Sequence, residues 1–282
     1  MSRAWNAEGK IVLVTGGSSG IGLAVARLLA ASGAHVWLLA RGEDRLNLAL
    51  SEVQAAGRGS DQRFGVIPAD VSDERQVREA IARMNAEAGL PDLVINSAGI
   101  TYPGYVQDLD LSIFRAMMEV NYFGTVYVTK AVLPGMMERG SGYIVNIASL
   151  AGLIGVFGYT AYGASKFAVR GFTDALRAEV KPFGIGVSIV YPPDTDTPQL
   201  AYENQFKPAE TKALSSMNSV LPPETVAEAI LDGVARRRYM ILPGFESKLT
   251  YWLVSIAGTL AYPVVDWLIA RAQRAMRVKE PA

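Results

Sequence analysis

A phenol and an ammonium stand four residues apart in Tyr162-Gly163-Ala164-Ser165-Lys166, a spacing that places both on one face of a helix. With 12 tyrosines in the chain such a pair also arises by chance, so its surroundings decide its meaning. Ser149 lies thirteen residues earlier, in Asn146-Ile147-Ala148-Ser149 at the end of an apolar run. Asn121 sits in Val120-Asn121-Tyr122-Phe123-Gly124, inside a helical pattern that asparagine does not favour. Together these types fit proton delivery to a carbonyl: Tyr162 as the acid, Ser149 holding the oxygen, Lys166 tuning the phenol and Asn121 supporting a water chain to Lys166. Free tyrosine titrates at about 10, and a nearby ammonium is expected to lower it. Other chemistries are poorly supplied. The chain has no cysteine, which excludes disulfides, thiolate metal sites and a cysteine nucleophile. Its single histidine, His35, makes a histidine triad or a histidine metal cluster improbable, and no metal site is expected.

A second constellation follows the first apolar run: Thr15-Gly16-Gly17-Ser18-Ser19-Gly20-Ile21-Gly22. Glycines here let the backbone turn tightly and meet a pyrophosphate at a helix N-terminus, although a plain structural turn uses the same residues. Gly16, Ser18, Ser19, Gly20, Ile21 and Gly22 are assigned to that cradle. The next strand pattern ends in Leu38-Leu39-Ala40-Arg41, where NAD-binding folds usually carry a carboxylate for the ribose. Arg41, with Arg45 one turn later, suits a 2′-phosphate, so the cofactor is expected to be NADPH, released as NADP. Two solvated surface arginines would leave the same pattern. Asp70 and Val71 are placed to hold the adenine, and Asn96-Ser97-Ala98-Gly99 gives a dinucleotide close backbone approach.

The elements that position these residues alternate. Strands are expected at Ile11–Thr15, His35–Ala40, Phe64–Ala69, Leu93–Asn96, Tyr143–Ile147, Val187–Tyr191 and Tyr239–Leu242. Helices are expected at Gly22–Ala31, Asp44–Ala56, Asp73–Ala88 and Ala164–Val180. Such alternation predicts an α/β fold: a single Rossmann-type, doubly wound parallel sheet, with ligands at the carboxyl ends of its strands. A loop from Pro192 to about Pro223 and an apolar tail after Pro243 break the rhythm. Residues 1–245 read as one dinucleotide-binding domain and residues 246–282 as an apolar, helical C-terminal extension. Met1–Lys10 is polar and lacks a leader pattern, so a cytoplasmic chain is expected. With 27 basic against 27 acidic residues there is no broad basic surface, and nucleic acid is not an expected partner.

The glycine pattern, Asn-Ser-Ala-Gly at 96–99, Asn121, Ser149, Tyr162 and Lys166 resemble the short-chain dehydrogenase/reductase family over about residues 8–245. That resemblance implies a Rossmann-type domain in which Asn121, Ser149, Tyr162 and Lys166 are catalytic, Tyr162 and Lys166 also facing the cofactor. Most members carry Pro-Gly after the sixth strand, then a threonine that bonds the nicotinamide carboxamide. Here the segment is Tyr191-Pro192-Pro193-Asp194-Thr195-Asp196-Thr197-Pro198, and Pro193 stiffens the turn. Thr195 and Thr197 are the carry-over for the carboxamide contacts. This run, with Gly-Gly-Ser-Ser-Gly at 16–20 and Ala40-Arg41, resembles the branch of 3-ketodihydrosphingosine (3-dehydrosphinganine) reductases. The resemblance implies a long-chain keto lipid substrate reduced in sphingolipid synthesis. Another apolar ketone, a steroid or a 3-ketoacyl lipid, is the alternative on the same machinery. A non-catalytic dinucleotide-binding protein is a more distant one.

From Leu249 to Val265 seventeen residues carry no charge, among them Tyr251, Trp252 and Tyr262. Pro263 interrupts the stretch, and Trp267 and the cations Arg271, Arg274, Arg277 and Lys279 follow. Seventeen is the lower limit for a spanning helix, while aromatics flanked by cations suit an interfacial segment. The expectation is peripheral membrane contact on the cytosolic face. A homo-oligomer interface or a core helix pair is the competing reading of the tail, and a homo-oligomer is expected.

Overall fold

The computed structural model describes residues 6–216 and 219–277. Met1–Trp5 and Lys279, both used in reading the sequence, lie outside them. Seven parallel strands form one sheet: β1 (Ile11–Thr15), β2 (His35–Ala40), β3 (Phe64–Pro68), β4 (Leu93–Asn96), β5 (Gly142–Ile147), β6 (Ile185–Val190) and β7 (Met240–Ile241). Their order is β3-β2-β1-β4-β5-β6-β7, so the direction of winding reverses between β1 and β4. Thr15 pairs with Leu39 on one side and Asn96 on the other, which brings the carboxyl ends of three strands level. A crevice at such a reversal is where open α/β sheets bind ligands.

Helices cover both faces because the strands are apolar on both. Helices α1 (Gly20–Ala31) and α2 (Glu43–Ala56) lie on one face with α9 (Pro223–Ala235). Val25, Leu29, Leu46, Val53, Ile230 and Val234 pack there on Val12, Val14, Val36 and Leu38. The opposite face carries α3 (Glu74–Ala88), α5 (Gly124–Arg139) and α6 (Thr160–Val180). Ile81, Met84, Val128, Val132, Met136 and Leu176 pack there on Leu13, Leu39, Val94 and Ile144. Each such side chain, fully buried, contributes about 1.5–3 kcal/mol.

Four local findings differ from the sequence expectation. Strand β7 has two residues rather than four; it is the edge of the sheet. The pattern around Asn121 is not one helix. A π-helical turn, Met118–Phe123, separates α4 (Leu111–Met117) from α5, and Gly124 N–H bonds back five residues to Glu119. The segment after Pro192 is not all loop: α7 (Pro198–Glu203) starts where Thr197 caps Leu200 N–H, with Pro198 at the first helical position. Helix α8 (Ala209–Ser215) follows. The tail, finally, forms α10 (Gly244–Ala257) and α11 (Ala261–Arg277), broken by a turn at Gly258–Leu260 rather than at Pro263. Gly258 has φ +52°, a left-handed value that glycine tolerates, and Pro263 falls in the first turn of α11, where no N–H is needed. Among the described residues no helix is long and apolar enough to cross a membrane.

Candidate active site

Tyr162, Ser165 and Lys166 all lie in the first turns of α6 and are buried. Lys166 Nζ donates to the Ile147 carbonyl at the end of β5, 3.0 Å away, and lies 5.6 Å from the centroid of the Tyr162 ring. Ser149, two residues past β5, accepts from Ala151 N–H at 3.2 Å, which leaves its own O–H free to donate. Asn121 is only 1 % exposed. Its amide grips Ile100 twice, accepting from the N–H at 2.8 Å and donating to the carbonyl at 3.0 Å, and donates to Ser165 Oγ at 2.9 Å. The π turn thus fastens the chain after β4 to the helix that bears the tyrosine. Asn121 and Lys166 both close on Gly99: a methyl there would lie 3.2 Å from Asn121 Oδ1 and 3.6 Å from Lys166 Nζ.

Burial, not the ammonium, governs the phenol. Desolvation pushes Tyr162 above the ordinary tyrosine range; the Ser149 hydroxyl draws it part of the way back, while the Glu203 and Asp194 carboxylates push it further up. Lys166 is not among the groups that shift it in the protein alone. Burial acts on Lys166 in the other sense and brings its ammonium down to about 8. An apolar wall adjoins Tyr162: Met117, Ala151 and Tyr159 are buried with it, and Ile100, Tyr102, Ile113, Phe114 and Val156 pack against them. Phe206 stacks on Tyr102 with centroids 4.5 Å apart.

The glycine-rich turn lies at the same end of the sheet. Gly16 has φ +65°, and a Cβ there would come within 2.8 Å of Ala98 backbone atoms. A Cβ on Gly22 would lie 2.4 Å from the Gly16 carbonyl oxygen. The helix N-terminus behind this turn has no side-chain cap, since Ser19 makes none, so its first N–H groups have no side-chain acceptor. Those features fit a pyrophosphate. Ser18, Ser19, Gly20 and Ile21 are half-buried along the turn, and the Thr197 methyl lies where a Cβ on Gly20 would come within 3.0 Å. Thr195 is buried and donates to the Pro193 carbonyl at 2.9 Å, so of the two threonines only Thr197 lies against the glycine turn.

Arg41 is exposed and lies 3.9 Å from Asp70, a pair that solvent weakens; Arg45 is exposed in the first turn of α2. Asp70 accepts from Ser72 N–H at 2.9 Å and Ser72 Oγ at 2.7 Å. Two assigned side chains turn inward instead. Val71 is buried in the core beside Gly124, and Asn96 donates inside the protein to Asn146 at 2.8 Å; what they leave at the cleft is backbone. Ser165, the Asn96–Asn146–Thr173 chain and Thr15, which accepts from Ser97 and Ala98 N–H, went unread in the sequence. They bond residues far apart in the chain, and no local motif announces them.

A reversal-point cleft with a glycine cradle and a Ser-Tyr-Lys-Asn set defines a nucleotide-dependent oxidoreductase. Residues 10–208 match the short chain dehydrogenase family, and the chain belongs to it. Its cofactor is accordingly a nicotinamide dinucleotide. The 3-ketodihydrosphingosine reductase of Bos taurus is 45 % identical over 224 residues, covering 79 % of this chain and 68 % of that one. The 3-ketodihydrosphingosine reductase of Dictyostelium discoideum is 38 % identical over 256 residues, covering 86 % and 77 %. Levodione reductase has a similar crystal structure, with TM-score 0.78, 26 % identity, and 86 % of this chain and 99 % of that one covered.

Proposed function

We propose that the enzyme reduces the 3-keto group of 3-ketodihydrosphingosine to the alcohol with NADPH. The observation that carries this reading is the convergence of Tyr162, Ser149 and Lys166 beside an apolar wall, in a chain whose relatives bear that name. When bound, the reduced nicotinamide supplies a hydride to the carbonyl carbon. The Gly16–Gly22 turn and the uncapped N–H groups of α1 would hold its pyrophosphate, Asp70 and the backbone at Val71 and Asn96 its adenosine half, and Thr195 and Thr197 its carboxamide. Arg41, released from the weak Asp70 pair, and Arg45 would take a 2′-phosphate.

Ser149 donates its free O–H to the ketone oxygen and fixes its position. Tyr162 gives that oxygen a proton as the carbon is reduced. A phenol held protonated by burial is suited to act as the acid in this direction. The phenolate left behind faces Lys166, whose ammonium stabilises it and passes a proton back. Asn121 and Lys166, side by side at Gly99, would carry a water path for reprotonation.

Tyr162→Phe removes the acidic proton alone. Reduction is expected to fall by about 10²–10⁴-fold, with dinucleotide affinity nearly unchanged, measured by initial rates and by nucleotide fluorescence titration. Retention of more than about a tenth of the wild-type rate overturns Tyr162 as the acid.

The tail is read as a peripheral membrane contact. Phe245, Trp252, Leu253, Ile256, Leu260 and Trp267 are exposed on α10, α11 and the turn between them, and Arg271 lies 5.6 Å from the Trp267 ring. Apolar rings beside cations suit an interfacial position on an anionic, cytosolic surface. A second copy of the chain, in a homo-oligomer, would cover the same residues and is separated by the vesicle test below.

A further inference from the structure

The segment from Asp194 to Thr211 crosses the substrate side of Tyr162, and buried polar contacts hold it there. The Lys207 side chain is 1 % exposed. Its ammonium lies 3.0 Å from Glu203 Oε1 and 3.4 Å from Asp194 Oδ2. Glu203 is itself buried, and the same Oε1 accepts from the Tyr159 hydroxyl at 2.9 Å. Tyr159 stands just before α6, with its ring centroid 5.6 Å from that of Tyr162. Further along, Tyr105 donates to Glu210 at 2.8 Å and Thr211 to the Phe157 carbonyl at 2.9 Å. The crossing segment is therefore folded back on its own start by Lys207 and bonded to the residues just before and at the start of α6 and to the chain after β4.

A buried ion pair is a weak source of stability, because the desolvation of both charges offsets most of their attraction. What it does supply is register: an ammonium shared by two carboxylates, one of which also accepts from Tyr159, is satisfied in one arrangement of the segment against the start of α6, whereas apolar side chains slide. The Phe206 ring, adjacent to Lys207, is set against Tyr102 by the same arrangement and completes the apolar wall. None of these groups is needed for the proton transfer itself.

We propose that Tyr159, Glu203 and Lys207 are positioning residues, a buried latch that fixes the 194–211 segment over Tyr162 and thereby sets how the ketone is seated. This rests on the reading of Tyr162 as the proton donor. Opening the latch at Tyr159 leaves the bonds of Thr195 to the Pro193 carbonyl and of Thr197 to Leu200 N–H in place, so it acts on the ketone and not on the dinucleotide, and this separates it from a general contribution to folding.

Tyr159→Phe removes one O–H and leaves the Lys207 pairs in place. With 3-ketodihydrosphingosine as substrate, KM is expected to rise about tenfold and kcat to change less, as for the loss of one buried charged hydrogen bond. NADPH affinity by fluorescence and Tm are expected to match wild type. Lys207→Met is expected to lower kcat/KM for the ketone further, and Lys207→Arg to restore part of it, because the cation and not the bulk is required. Glu203→Gln combined with Tyr159→Phe should cost no more than the worse single change, since both act through one bond. An unchanged KM in Tyr159→Phe, or a KM that rises only in step with lost NADPH affinity, overturns the latch. If Lys207→Met does not fold, the Tyr159→Phe result and the double variant decide alone. Full activity of Tyr162→Phe would instead overturn the underlying reading, so the two failures are distinct.

Discussion

Burial acts in opposite senses on the two groups that share one face of α6: it raises the Tyr162 phenol and lowers the Lys166 ammonium to about 8. A pH dependence follows. The Lys166 cation is present below about 8 and is lost above it, and in the proposed mechanism reduction needs it to stabilise the phenolate and return a proton. The kcat/KM for reduction is therefore expected to be highest on the acid side and to fall as pH rises through about 8. Stability moves the other way over that window. A lysine whose folded value lies below its unfolded 10.5 binds fewer protons when folded, so from this group stability rises between about 8 and 10. Loss of rate there is not unfolding. An initial-rate profile paired with Tm at each pH checks both signs, and a rate that stays flat to about pH 10 contradicts the role given to Lys166. The cluster of Ser149, Tyr162 and Lys166 was legible because local spacing carries it: four residues join Tyr162 to Lys166, and Ser149 follows a strand. The tyrosine's titration was not, because burial comes from Met117, Tyr159 and the crossing segment. The Tyr159–Glu203 bond spans 44 residues and leaves no periodicity to read.

Among the elements, all seven strands fall within two residues of their expected ends, since short β-branched runs between helical patterns admit little else. Elements whose stability comes from tertiary contact were harder. The π turn at Met118–Phe123 is held by the Asn121 amide on Ile100, and α7 and α8 are too short for a helical period to show. Thr197-Pro198 was a readable start signal for α7. The break in the tail falls at Gly258, because a left-handed residue ends a helix more readily than a proline in the first turn of the next. The glycine turn is the element proposed to hold the cofactor. Gly22→Ala puts a Cβ 2.4 Å from the Gly16 carbonyl oxygen, so backbone must move. Overpacking of this kind costs about 1–3 kcal/mol, and dinucleotide affinity is expected to fall with the reshaped cradle. Thermal melting and nucleotide fluorescence measure the two effects; unchanged affinity would show that the turn does not hold the dinucleotide.

At the scale of the molecule, the chemistry sits at one end of the sheet and the exposed apolar surface lies on α10 and α11, which also touch the substrate side. Gln273 on α11 donates to Glu210 on α8 at 3.3 Å. Removing the tail would disturb that contact, so point changes at exposed positions are the cleaner test. Trp252→Glu with Ile256→Glu replaces side chains that are 59 % and 77 % exposed. Each loses about 1.5–3 kcal/mol if it is buried in lipid, so co-sedimentation with anionic vesicles is expected to drop at least about tenfold, with activity on a short soluble ketone preserved. Absence of vesicle binding by the unaltered protein, with the same changes splitting an oligomer in sedimentation, assigns the surface to a second copy. The central claim concerns the substrate, and steady-state reduction tests it most directly. Purified enzyme is given NADPH or NADH, with 3-ketodihydrosphingosine or a steroid ketone in the same detergent. The account predicts that NADPH is preferred and that kcat/KM for 3-ketodihydrosphingosine exceeds that for the steroid by about a hundredfold. Equal or faster turnover of the steroid ketone, or no oxidation of NADPH with 3-ketodihydrosphingosine, would contradict it.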